Sequence, residues 1–141
     1  MPRMIFINLP ITDLERAIAF YEAIGAQRNP QFSDATAACM VLSETIHVML
    51  LTHAKFAQFT SKPIVDARSA CEVMLCLSAE SRAEVEDLLQ RATRAGGAKD
   101  PTPVQDHGFM YGRSFADPDG HIWEVMWMDL EAAKQAMGAP A

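Results

Sequence analysis

Lysine and arginine are in short supply: 12 of them face 18 aspartates and glutamates, leaving a formal charge of −6 on 141 residues. A chain of that sign is not built to hold a phosphate backbone, and nucleic acid is not an expected partner. Long apolar runs are missing as well, and no stretch nears the roughly 20 residues that a membrane-spanning helix requires. The opening Met1-Pro2-Arg3-Met4 leads into a short stretch containing polar Asn8 instead of an apolar signal core, so a cytoplasmic location is expected. Cysteine is sparse too. Cys39, Cys71 and Cys76 have neither metal-knuckle nor redox spacing and read as reduced packing thiols. A glycine-rich phosphate loop, a nucleophile elbow and a zinc-helix motif are all lacking. What is present, 50% hydrophobic and 21% charged residues, fits one globular domain with a real core.

Residues 4–9 form a short Ile- and Phe-containing run closed by Pro10, which reads as a strand. Thr12 and Glu15 then have the spacing of a capping box, Leu14, Ile18 and Tyr21 recur at helical intervals, and Gly25 ends the helix. The same grammar returns in the second half. Residues 73–77 are apolar, Ser81 and Glu84 repeat the box, Val85, Leu88, Leu89 and Ala92 make a stripe, and Gly96-Gly97 stops it. The repeat offset is about half the chain, the mark of an internal duplication. Short strands are expected at 31–32, 37–42 and 46–51, then at 109–115 and 121–128, the last two joined through Asp117-Pro-Asp-Gly120. Residues 53–59 allow a short helix, residues 98–108 read as a loop, and Asp129 caps a terminal helix over 130–137.

Each half therefore reads β-α-β-β-β, with module 1 over about 1–60, module 2 over about 71–128 and a C-terminal helix over about 129–138. Together with Asp13-Leu-Glu-Arg-Ala-Ile-Ala-Phe-Tyr21 and Asp117-Pro-Asp-Gly-His-Ile-Trp-Glu124, this pattern resembles the vicinal oxygen chelate superfamily of glyoxalase I, bleomycin-resistance proteins and extradiol dioxygenases. The nearer likeness is to bacterial proteins labelled predicted lactoylglutathione lyases. The resemblance implies an α+β fold in which two tandem βαβββ modules form a curled mixed sheet around a cleft. It also implies a homodimer, and, in metal-dependent members, two ligands to a divalent ion from each module. The last of those ligands is a Glu four residues past the turn, which Glu124 matches. The other positions fall at Phe6, at Met74 and at Met49 or Leu50. Phe has no donor atom and a Met thioether suits mainly Cu(I), so no cofactor is expected, and a divalent ion held through Glu124 is the alternative.

Glu124 lies in the apolar run Ile122–Trp127, where a carboxylate is unusual. It reads as a general base or a ligand's hydrogen-bond acceptor, or else as a structural group bonded to Arg113, Tyr111 or backbone. By alternation Phe6 and Asn8 share a face, as do Met74 and Cys76, and Glu124 and Met126; with Met49 these make an apolar, sulfur-rich ligand surface. His107, Tyr111 and Arg113 alternate onto one face as well, where a base, a phenol and a cation can meet an anion or carbonyl. His47, His53 and His121 have no consistent ligand spacing.

The first expectation is thus a metal-free binder of a small organic molecule in an apolar cleft. One alternative is a lactoylglutathione lyase-like lyase or isomerase with Glu124 as base and His107, Tyr111 or Arg113 replacing the cation. The other is a structural protein whose methionines fill the cleft.

Overall fold

The computed structural model describes residues 2–136 and 138. They divide into two compact units. One runs through Ala70 and takes in Pro118–His121; the other holds Cys71–Asp117 and resumes at Ile122. The first contains β1 (Ile5–Ile11), α1 (Leu14–Ala23), β2 (Gln27–Asn29), a 3-10 turn (Pro30–Phe32), β3 (Ala37–Val41), β4 (Ile46–Thr52) and α2 (His53–Phe56). The second contains β5 (Met74–Ser78), α3 (Arg82–Arg94), β6 (Ala98–Lys99), β7 (Gln105–Asp106), β8 (Met110–Ala116), β9 (Ile122–Met128) and α4 (Leu130–Ala136). Met137, expected in the last helix, lies outside the described residues.

The sheets repeat one another. Their strand orders are β1-β4-β3-β2 and β5-β9-β8-β6, with β7 also on β8. In each, the opening strand lies parallel to the closing one while the remaining pairs are antiparallel. The mixed α+β architecture expected from the duplication is therefore present as two mixed sheets, one per unit.

Local chemistry explains the helix starts, with one departure from expectation. Asp13, and not Thr12, caps α1 by accepting from the Arg16 N–H at 3.1 Å. Thr12 is drawn away because its N–H and hydroxyl both donate to Asp119 Oδ1, at 2.9 and 2.8 Å, a partner far off in sequence. In α3 the box forms nearly as expected: Ser81 accepts from the Glu84 N–H at 3.1 Å, and Glu84 reaches back one residue further, to the Glu80 N–H at 2.6 Å. Asp129 accepts from the Ala132 N–H at 3.2 Å and starts α4.

Other boundaries shift for visible reasons. β1 continues through Pro10 because it is an edge strand, where a missing N–H costs no ladder bond. Residues 31–32 are not a strand, since Asn29 accepts from the Gln31 N–H at 3.0 Å and Pro30 opens a 3-10 turn. Two very short strands, β6 and β7, occupy the expected loop by pairing with β8.

Each sheet buries one face under its long helix. In the first unit Ala38, Met40, Val48 and Leu50 are wholly buried, together with Ala17, Phe20 and Tyr21 of α1. In the second, Phe115, Trp123 and Val125 meet Val85, Leu89 and Ala92 of α3. Burying such large side chains stabilises by about 1.5–3 kcal/mol each, so these helix-covered faces are the cores that fix strand register. Register in turn determines what the opposite faces display. No helix among the described residues is long and apolar enough to cross a membrane.

Candidate functional site

In the second unit Glu124 stands across from Cys76 on β5 and from Ser114 on β8. Trp123 and Val125, its neighbours in sequence, are buried on the α3 side, so alternation turns Glu124 to the opposite face. Met74, Cys76 and Met126 share that face. Met74 is 51% exposed. Glu124 is only partly exposed, and among the described residues its carboxylate makes no hydrogen bond or ion pair. Desolvation, and then the Glu124 charge, push the Cys76 thiol up, so Cys76 is a protonated neighbour and not a thiolate.

The first unit carries the matching face. Phe6 stands beside His47, and Asn8 beside Met49, across the parallel β1–β4 pair. Asn8 and Cys76 hold the same place in the two repeats, so the counterpart of Glu124 is Met49. Of the two candidates left open by the sequence, Met49 is on the same face as Asn8 and Leu50 is wholly buried in the core.

Tyr111 and Arg113 do not join Glu124. Both share the α3 face with Phe115. The Tyr111 hydroxyl donates to Glu86, and Arg113 donates to Glu86 Oε2 at 2.8 Å and to both oxygens of Asp100. Tyr111 above all, and then Arg113, hold the Glu86 carboxyl below its usual range; Arg113 does the same for Asp100. The bond to Glu86 raises the Tyr111 phenol, and the bond to Asp100 foremost raises the Arg113 guanidinium. The sequence reading of a shared base, phenol and cation around Glu124 is thereby corrected: an acid on the neighbouring helix, Glu86, captures the two groups. His107 sits in an exposed loop, its Nε2 3.0 Å from Gln105 Oε1 and its ring 6.1 Å from Phe109. That loop is pinned to α3 by Arg82, which pairs with Asp106 at 2.7 Å and lies over the Tyr111 and Trp127 rings.

A cavity of about 190 Å³ in the first unit is lined by His53, His121, Asp66, Arg68, Asp119 and Thr12, among others. His121 Nε2 lies 2.8 Å from the Pro10 carbonyl oxygen. Another of about 260 Å³ in the second unit lies beside Arg113 and Glu86. Neither includes Glu124.

The donor set does not match a divalent-ion site. At the four ligand positions stand Phe6, Met49, Met74 and Glu124; the adjoining groups are a protonated thiol and an imidazole lying against Phe6. No three His, Cys, Asp or Glu side chains come together as a possible metal site among the described residues. Structural and catalytic zinc sites need at least three such donors.

Two βαβββ units, each with its opening strand returned beside its closing strand, define the vicinal oxygen chelate fold. The chain belongs to the Glyoxalase/Bleomycin resistance protein/Dioxygenase superfamily, whose family model matches residues 3–125. It is similar to a hypothetical protein from S. aureus, 29% identical over 90% of this chain and 95% of that one, with a TM-score of 0.74. A glyoxalase-related enzyme from Fulvimarina pelagi is 24% identical over 90% of this chain and 88% of its own, with a TM-score of 0.73. The fosfomycin resistance protein FosX from Mesorhizobium loti shares the fold at 13% identity, covering 94% and 98% of the two chains, with a TM-score of 0.67. A search of the curated proteins finds no match.

Proposed function

We propose that the protein binds a small organic molecule on the sheet face that carries Glu124, with that carboxylate accepting the ligand's hydrogen bond and no divalent ion taking part. The observation that carries this reading is the Glu124 carboxylate itself, held mid-strand with Met74 and Met126 on its face and with no hydrogen-bond or ion-pair partner among the described residues. An unpaired, partly buried carboxylate costs stability, and a ligand donor would offset that cost. On that face exposed Met74 and the neighbouring Met126 supply apolar contact, and the first unit's own sheet displays exposed Phe6 and the Asn8 amide in the corresponding places.

A lyase reading asks more of the site. Proton abstraction by Glu124 needs a cation or donor on the same face to stabilise the enediolate. Tyr111 and Arg113 are committed to Glu86 and Asp100 on the other face, which favours binding over turnover. The reading includes a homodimer, measurable by light scattering.

The test combines thermal-shift screening with neutral aromatic and aliphatic compounds, elemental analysis, and the Glu124→Gln variant. Binding is expected in metal-free protein and is expected to weaken in Glu124→Gln. One equivalent of metal per chain, lost in Glu124→Ala, would overturn the metal-free reading. Turnover of methylglyoxal with glutathione, abolished in Glu124→Gln, would replace binding with catalysis.

A further inference from the structure

Within the first unit, the Phe6 and His47 rings lie 4.6 Å apart at an interplanar angle of 20°. Their exposure is opposite: Phe6 is 52% exposed and His47 8%. One face of the phenyl ring is therefore covered by the imidazole while the remainder meets solvent. Because the two residues are register partners on β1 and β4, the stack is fixed by the sheet itself.

The imidazole has a second feature. Nδ1 is buried and has no hydrogen-bond partner among the described residues. Native interiors leave few polar atoms in that state, because an unmade bond costs about 1–3 kcal/mol. A histidine that serves a metal has its other nitrogen oriented by a carboxylate or carbonyl; among the described residues no such partner engages Nδ1 of His47. A half-exposed ring locked from beneath and the exposed Asn8 amide two residues along the same face compose a recognition surface.

We propose that Phe6 and His47 form a subsite for a planar aromatic ring bearing a polar group. The ligand ring lies on the open face of Phe6 and extends the stack. Its polar group turns past the edge of Phe6 to the exposed Asn8 amide. His47 acts as a positioning residue that keeps Phe6 flat for the incoming ring. This assignment rests on the reading of the protein as a small-molecule binder and narrows the ligand class.

The test compares 2-naphthol with decahydro-2-naphthol by calorimetry and proton NMR on the full chain. The two share a skeleton and a hydroxyl, and only one is planar. The planar compound is expected to bind about tenfold more tightly, the upper range for one aromatic stack. Its protons are expected to shift upfield from ring current. Phe6→Leu, at an exposed position that should tolerate it, is expected to abolish the preference and leave the saturated compound within about twofold. His47→Leu is expected to lose the preference too, and His47→Phe to restore it, a rescue that a general packing defect would not show. Equal binding of the two compounds, sensitive to Glu124→Gln but not to Phe6→Leu, overturns the ring subsite and leaves the binding reading intact. Binding of neither compound at millimolar concentration overturns both.

Discussion

Replacing Gly120 with alanine tests whether the Asp117–Gly120 turn is seated where the structure has it. Gly120 has φ of +96°, a conformation that costs an L-residue about 1–2 kcal/mol. A Cβ there would also stand 2.6 Å from Arg68 N, 2.7 Å from Ala67 C and 2.8 Å from Ala67 O. These are backbone atoms and cannot rotate aside. The loop they belong to is tied down: the Arg68 N–H donates to Asp66 Oδ1 at 3.0 Å, and the Ser69 and Ala70 N–H groups donate to the Asp66 carbonyl at 3.0 and 3.1 Å. Overpacking of this kind adds about 1–3 kcal/mol, bringing the whole effect to about 2–5 kcal/mol. Equilibrium unfolding in urea reads that directly as a lowered midpoint at constant slope. Gly108→Ala is the control, since Gly108 also has positive φ, +79°, but its added Cβ meets nothing within 4 Å. It should pay only the conformational part, about 1–2 kcal/mol. If the two variants lose the same stability, the turn is not packed on residues 67 and 68, and the contact argument is refuted.

Four further outcomes follow from the same geometry. Asp100, Glu86 and Asp106 all titrate below their ordinary values, Asp106 at about 2, so the stability they carry is complete above 3.8 for Asp and 4.5 for Glu. It drains as pH falls from about 5 towards 2, and Asp100→Asn should flatten that slope in acid-unfolding curves. Arg113→Met strips the partner from two carboxylates. It should cost about 1–3 kcal/mol by urea unfolding, less than a fully buried pair because Glu86 is 43% exposed, and it should leave 2-naphthol affinity unchanged. Thr12→Val removes the hydroxyl bond to Asp119 and should cost about 1–2 kcal/mol in thermal or urea unfolding. Ser81→Ala should cost about 1 kcal/mol through lost capping of α3, and Asp13→Ala a similar amount through α1.

Features governed by neighbours in sequence were legible, and features governed by distant partners were not. The duplicated strand–helix grammar, the α3 box at Ser81 and Glu84, the Asp129 cap and the turn after β8 all depend on residues within a few positions, and the structure has them. Thr12 satisfies the local capping rule equally well, yet its hydroxyl is used by Asp119, and nothing near Thr12 signals that. The same holds for the site. Strand alternation correctly separates Glu124 from buried Trp123 and Val125. It also correctly groups Tyr111 with Arg113, but it gives no means of telling which side of the sheet that pair faces. Glu86 decides this, and its position at helical spacing on α3 makes it look like an ordinary solvated acid. His47 is as hard to read, since none of its sequence neighbours marks it as an imidazole buried beneath a phenyl ring.

Residues 118–121 belong with the first seventy, although the chain reaches them only after threading most of the second unit. The first unit is therefore incomplete without a segment that lies late in the chain. A fragment ending at Ala70 would carry Thr12 without its acceptor, and Pro10 without the imidazole of His121 at its carbonyl. The complementary fragment would display a turn stripped of its seat. Expressing the halves separately should give poorly folded material that recovers structure on mixing, so the repeat visible in the strand order is not a line along which the chain can be cut.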